Sequence, residues 1–401
     1  NIHRENFFNT NDINLLKLRL TYGISGNVDQ TTTPFLRGRL TTDSRGAYPS
    51  LQYLQFNDTD LPNPKLRWEK TETANIGIDF GMWHWLSGSI DLYRRYSSDL
   101  LVLTELDPTV GAQRRLINNG ALLNRGIEVS LNATRKLTDD LQLSIGTTFA
   151  YNKNTIEKVS SKPTNAMEYA RNPLTYYREG DDFNSLYAYR YKETINGYPI
   201  YLDENGNPNT TFDANGVPTI KEFKNEDALV KLGTMNPTFN GALNLQLRYK
   251  VFELSTMFVY AGGHKLRKDT YSINQESETH RDITQRWTPT NPTDMPRMSF
   301  DYPSALRRTA NTVNTFWQPG DNHVVNADYL KWRNVVFACY IPKDICERLR
   351  LQNAKVTAQL NNLLTWSAAG NDIDPEAYNL NTGTRSLPIA TTALFGISFS
   401  F

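Results

Sequence analysis

The sequence predicts an all-β fold, with about ten to twelve antiparallel strands forming the wall of a transmembrane β-barrel. Three observations lead there. Apolar and polar residues alternate with period two in segment after segment. Very short turns and long polar connections succeed one another along the chain. The last strand, in "TTALFGISFSF" (391–401), is rich in apolar residues and ends on an aromatic one, Phe401.

Ten segments carry the alternation, each with one row of side chains on either face. The first is "NLLKLRLTYGIS", with Leu16, Leu18, Leu20, Tyr22 and Ile24 against Lys17, Arg19, Thr21 and Gly23. "TANIGIDFG" and "WLSGSIDLY" follow, then "RGIEVSLNAT" and "LQLSIGTTFAY". Later come "FNGALNLQLRY" with "FELSTMFVYAG", "YLKWRNVVFACYI" with "AKVTAQLNNLLTWS", and the final strand. Their second faces hold Ser, Asn, Thr, Gln, Asp and Gly, which suits a wet interior. A β-sandwich also alternates, so alternation by itself leaves that architecture open.

The connections favour the barrel. Met82–Trp85, Lys136–Asp140 and Lys250–Val251 are tight turns, whereas 26–70, 105–123, 154–237, 263–328 and 367–390 are long and polar. Short turns on one side and long loops on the other are the habit of outer-membrane barrels. Counting back from Phe401 keeps all short turns on one side only if 154–237 contains no crossing strand or two. "NSLYAYRYKE" (184–193) is either a crossing strand, partnered near 198–202 or 228–232, or a hairpin within one loop. "PKDICERLRLQ" (342–352) reads as a short helical turn started by Pro342.

Composition excludes other classes. The 401 residues include 43 basic and 42 acidic side chains, a net charge of +1, which gives no global attraction to nucleic acid. No apolar run approaches the ~20 residues of a membrane-spanning helix. Aromatic residues make up 11% of the chain, enough for an aromatic core or for girdles at a membrane interface. Cys339 and Cys346 read as packing residues rather than a bridge. Catalytic signatures are missing: His3, His84, His264, His280 and His323 are scattered, and no nucleophile elbow, phosphate loop or dinucleotide fingerprint occurs. The carboxylate pairs Asp181–Asp182 and Asp372–Asp374 read as solvated loop acids. No catalytic residue is assigned. "DENGNPN" (203–209) and "DANGVP" (213–218) fit hairpin turns of type I′ at Asn205–Gly206 and Asn215–Gly216 better than a calcium loop.

Longer stretches carry a specific resemblance. "NPKLRWEKTETANIGIDFG" (63–81), "NNGALLNRGIEVSLNA" (118–133), "LGTMNPTFNGALNLQLRYKVFELSTMFVYAGG" (232–263), "ADYLKWRNVVFACYIPKDICERL" (327–349), "VTAQLNNLLTWS" (356–367) and "DIDPE" (372–376) stand in the order and spacing of one family. From about residue 12 to 401, the chain resembles the C-terminal part of a SusC/RagA-type TonB-dependent outer-membrane transporter of Bacteroidetes.

The resemblance implies the C-terminal half of a 22-stranded barrel closed around a plug. Residues 1–401 then correspond to the C-terminal portion of the barrel domain, with the plug and early strands absent from this chain. Asn1 in place of Met fits a chain that was processed or is part of something larger. The implied function is import of oligosaccharides or peptides across the outer membrane, with no enzyme chemistry. The implied partners are a SusD-like surface lipoprotein, the TonB complex (through the N-terminal part), the other half of the barrel with its plug, and outer-membrane lipid. A soluble or surface all-β carbohydrate-binding protein or adhesin is the alternative. No cofactor is implied, although acidic extracellular loops of this family can hold calcium.

For substrate contact the candidates are Tyr176, Tyr177, Tyr187 and Tyr189, whose rings can stack on sugars or else pack a folded loop. Trp287 and Trp317 are candidates on the same terms, as a contact surface or as the core of their own loop. Trp83, His84 and Trp85 read as part of a periplasmic-side aromatic belt. Phe395, Ile397, Phe399 and Phe401 are expected to face lipid as the outer-membrane insertion signal, with Ser398 and Ser400 toward the lumen.

Overall fold

The computed structural model describes the chain apart from residues 1, 6, 7, 9, 11, 30–33, 43–50, 57–61, 108, 110–113, 161–165, 172–176, 224–225, 276–279, 371 and 380–382. Ten wall strands form one antiparallel sheet in chain order. They are β1 (Ile13–Asn27), β2 (Glu69–Met82), β3 (Leu86–Glu105), β4 (Arg114–Lys136) and β5 (Leu141–Lys158). The second half comprises β6 (Phe239–Tyr249), β7 (Phe252–Gly262), β8 (Tyr329–Tyr340), β9 (Asn353–Ser367) and β10 (Thr392–Ser400). All ten alternating segments of the sequence are there, and the sheet is open, with β1 and β10 at its edges.

The register shows why strict alternation recurs. Leu18, Ile78, Ile90, Val129 and Phe149 stand in one row across five strands. One position along, Arg19, Gly77, Asp91, Glu128, Ala150 and Asn240 stand in a row on the opposite face. In β10, Phe395 and Ile397 pair with Ala358 and Val356, extending the apolar face to the last strand. Phe395 and Phe401 are 85% and 83% exposed, so this face has no protein cover among the described residues. A soluble sandwich would bury its apolar face; here that face is outermost, as lipid requires.

The short connections 83–85, 137–140, 250–251 and 341–352 lie at one end of the sheet, beside the Asn353–Ser400 pairing that brings the chain end there. Trp83 and His84 take left-handed φ values of 51° and 59° to close the first of them. Trp83 stacks on Trp85 with ring centroids 5.6 Å apart. In the last, α3 (Lys343–Arg348) starts after Pro342 as expected and buries Cys346. Both cysteines are free thiols.

Three details differ from the sequence reading or complete it. First, β5 pairs directly with β6 from Tyr151–Phe239 to Leu141–Tyr249, so 154–237 contains no crossing strand. Instead, strand Ser185–Ile195 lies between Leu229–Thr234 and Tyr198–Leu202 in a small separate sheet. Second, the loop expected over 105–123 shrinks to 106–113, because β3 and β4 run on for 20 and 23 residues. At ~3.3 Å per residue this hairpin is far taller than a hydrocarbon layer of ~30 Å and stands above it. Third, Asn205 and Asn215 do not have positive φ; only Gly206 and Gly216 do. A two-residue turn with both residues left-handed, as type I′ requires, is instead found at Asn196–Gly197, between paired Ile195 and Tyr198.

The connections between β5 and β6 and between β7 and β8 fold together beyond the other end of the wall. Two aromatic clusters organise them, one around Tyr187, Tyr189, Tyr201 and Phe316, the other around Tyr198, Tyr271, Tyr302 and Trp317. Helix α2 (Thr309–Trp317) reaches both, since its buried face presents Ala310, Val313 and Trp317 to one cluster and Phe316 to the other.

Candidate functional site

Two surfaces can meet a solute: the polar face of the wall and the loop layer above it. On the wall, Arg19 forks onto Asp79 (Nη2–Oδ1 2.8 Å, Nε–Oδ2 3.0 Å) and reaches Asp91 at 2.8 Å. Asn75 donates its amide to the other oxygen of Asp91 at 2.9 Å. Closer to the loops, Tyr93 donates to Asn152 at 3.1 Å, and Asn154 to Asn124 at 2.7 Å. Gly126 makes room for this pattern: a Cβ there would sit 2.7 Å from the Tyr93 hydroxyl and 2.1 Å from the carbonyl of Tyr151. The result is a wall lined by two hydrogen-bonded polar groups, the chemistry of a water-filled lumen.

In the loop layer the six aromatic candidates separate. Tyr176 lies outside the described residues. Tyr187 and Tyr189 sit in the small loop sheet, and Tyr189 is only 1% exposed, edge-on to Phe316 at 4.8 Å. Trp317 is enclosed and donates its indole N–H to Thr270 Oγ1 at 2.9 Å. These three pack the folded loops; their faces are already taken by other rings, which displaces the reading of them as solute contacts. Tyr177 and Trp287 keep partly open rings. Tyr177 stacks on Phe183 at 4.8 Å and lines an apolar cavity of ≈ 330 Å³ with Leu101, Val102, Leu122 and Ile156. Trp287 lies under the guanidinium of Arg297 at 4.2 Å, and Arg297 also covers Tyr198.

The loop acids are engaged. Lys331, 4% exposed, contacts Asp374 at 2.6 Å and Glu376 at 2.7 Å. Glu376 also accepts from Arg333 and from the Tyr329 hydroxyl. Burial raises the Glu376 pKa, but these donors outweigh it and hold the carboxyl below its ordinary value. The cluster clamps connection 368–391 onto β8, and Lys331-x-Arg333 facing Asp374-x-Glu376 was the available signal. Asp372 pairs with Arg281 and Arg385, and Asp181 with Lys231. Asp203 and Asp213 each accept the backbone N–H groups two and four residues on, stabilising their own turns. Among the described residues no three His, Cys, Asp or Glu side chains gather in a metal-holding group.

An open antiparallel sheet that is apolar outside and polar inside, with its long connections at one end, is a section of an outer-membrane barrel wall. The family description "TonB dependent receptor-like, beta-barrel" matches residues 10–255, and the chain belongs to that family, one of outer-membrane transporters rather than enzymes. It is 27% identical over 412 aligned residues to TonB-dependent receptor P3 of Formosa agariphila, covering 96% of this chain and 38% of that protein. It is 30% identical over 224 residues to TonB-dependent receptor SusC of Bacteroides thetaiotaomicron, covering 51% of this chain and 22% of that protein. A solved structure of the RagAB peptide transporter superposes with TM-score 0.75 at 22% identity, over the whole of this chain and 42% of the matched chain. The chain thus spans less than half the length of each of these relatives.

Proposed function

We propose that this chain is the C-terminal part of a SusC/RagA-type importer that moves oligosaccharides or peptides across the outer membrane, driven by TonB. The sheet carries the reading: ten strands, apolar outside and polar inside, with the connections after β5 and β7 folded together at one end. Its edges on β1 and β10 expose backbone groups that hydrocarbon does not tolerate unpaired. We therefore assign the partners of both edges to the N-terminal half of the barrel, which also supplies the plug and the TonB contact. A SusD-like surface lipoprotein covers the loop layer. Tyr177 and Trp287 are the candidates kept for solute contact, and Phe395, Ile397, Phe399 and Phe401 serve as the insertion signal. We assign no cofactor.

The test is made on the full-length protein. It is expected in the outer-membrane fraction, to require detergent, and to co-purify with a SusD-like lipoprotein. Its deletion should abolish growth on one class of oligosaccharide or peptide. Recovery from the soluble fraction as a folded monomer would sink the reading.

A further inference from the structure

Between the C-terminal end of α1 (Ala166–Arg171), the segment after strand Lys265–Arg267, and the turn at Gly383 lies a cavity of ≈ 600 Å³. Four cations, Arg171, Arg267, Lys268 and Arg385, line it against one carboxylate, Asp269. That carboxylate is already engaged: it holds Arg385 at 2.9 Å and accepts the Tyr378 hydroxyl at 2.6 Å. Among the described residues, three cations therefore remain without an acidic counterpart on the cavity wall.

Arg267 is the most demanding of them. It is 6% exposed, and its Nη2 donates to the carbonyl of Tyr187 at 2.8 Å. Its Nε is enclosed and has no acceptor among the described residues. Among the described residues no carboxylate reaches it within ion-pair distance. Burial lowers its pKa to about 10, so it stays charged at neutral pH. Neighbouring His323 is no counter-charge, because burial, with the charge of Arg267 adding to it, lowers its pKa to about 3 and keeps it neutral. Buried charges are ordinarily paired, and a planar fork with a free donor matches a carboxylate or sulfate. Gly383 closes the cavity at φ +75°, where a Cβ would sit 2.9 Å from the Arg267 carbonyl. Gly383 therefore packs tightly against the backbone of Arg267, Lys268 and Asp269.

We propose that this cavity is an anion subsite in which Arg267, assisted by Lys268 and Arg171, holds a carboxylate or sulfate group carried by the imported solute. The solute as carrier of the anion rests on the transporter reading above; the binding itself does not. The experiment uses the full-length transporter in detergent and titrates it calorimetrically with sodium sulfate, then with triglutamate and trigalacturonate as competitors. Wild type should bind sulfate, and Arg267→Gln should weaken it by about tenfold or more, the loss of a charge-assisted hydrogen bond. Because a buried substitution can disturb folding, the double variant Lys268→Gln/Arg171→Gln is measured alongside. It should weaken sulfate several-fold with an unchanged melting temperature. Displacement of sulfate by either oligomer supports a solute anion. Absence of sulfate binding, or equal binding by wild type and both variants, overturns the subsite. Sulfate binding that neither oligomer displaces overturns the solute assignment, leaving a free inorganic anion as occupant. Failure of the transporter reading would appear separately, as unchanged growth on deletion.

Discussion

In the wall, Ile78, Phe149 and Phe395 stand out from the sheet and remain exposed, whereas in the loop layer Leu266, Tyr201 and Trp317 are enclosed. Polar groups are reversed as well: Arg19, Asp79 and Asp91 line the inner face of the wall, while the loops carry most of their charges outside. One chain thus uses two opposite sorting rules. The difference follows from the solvent each region meets. Lipid tails accept apolar side chains at no cost, so the wall needs no core of its own. The connections after β5 and β7 stand in water and enclose theirs, as a soluble domain does.

The largest effect should come from the enclosed side. Trp317→Ala removes the largest fully buried side chain of the loop layer and leaves Thr270 without its indole partner. A loss of about 3–5 kcal/mol is expected. It should appear as rapid proteolysis of the loops, while heat-modifiable electrophoretic mobility, which reports the barrel, stays unchanged. Collapse of both together would mean that the two regions are one cooperative unit. A smaller effect should come from the wall. Phe149→Arg places a cation on the lipid face and should cost about 2–4 kcal/mol if that row lies near the midplane. Thr148→Arg, one residue along and on the polar face, should be nearly neutral in denaturant unfolding from lipid vesicles. Equal costs would break the assignment of the faces.

Smaller again is Gly197→Ala. The left-handed backbone there disfavours a Cβ by about 1–2 kcal/mol. The added carbon would also sit 3.0 Å from Arg297 Nε and 3.1 Å from the Trp287 ring. The expected result is a loosened Arg297–Trp287 stack, read as altered Trp287 fluorescence against a Trp287→Phe control, with the wall unaffected.

How much was legible in the sequence follows the same division. The wall was readable because lipid on one side and water on the other impose period two, strand after strand. It became unreadable where that constraint ended. In "DLLVLTE" the pairing shifts register between Ser97 and Leu100, so alternation no longer marks the taller part of β3. The loops offer no such constraint: a tyrosine that packs a core and one that meets a solute look alike in sequence, and Tyr187 and Tyr189 turned out to be packing. The turns show how local chemistry overrides a dipeptide preference. At 203–207 and 213–217 an aspartate leads the turn and its carboxylate collects the N–H groups, leaving only the glycine left-handed. At Asn196–Gly197 no such aspartate intervenes. The Lys331–Asp374–Glu376 clamp was hidden for a simpler reason, since its partners are 43 and 45 residues apart in the chain.

That clamp joins the two regions, and acid should loosen it with the smallest effect of the series. Glu376 has an ordinary value of 4.5 and lies below it in the folded protein. The folded carboxyl therefore holds its proton less tightly than the unfolded one. Its contribution is complete above 4.5 and is lost as pH falls through the lowered folded value. Proteolysis or hydrogen exchange of connection 368–391 should accelerate on acidification below that point while exchange in β8 stays slow. Glu376→Gln keeps the shape and removes the titration, so its connection should be looser at neutral pH and show a weaker acid response. If that variant responds to acid as strongly as wild type, Glu376 does not carry the pH dependence of this connection.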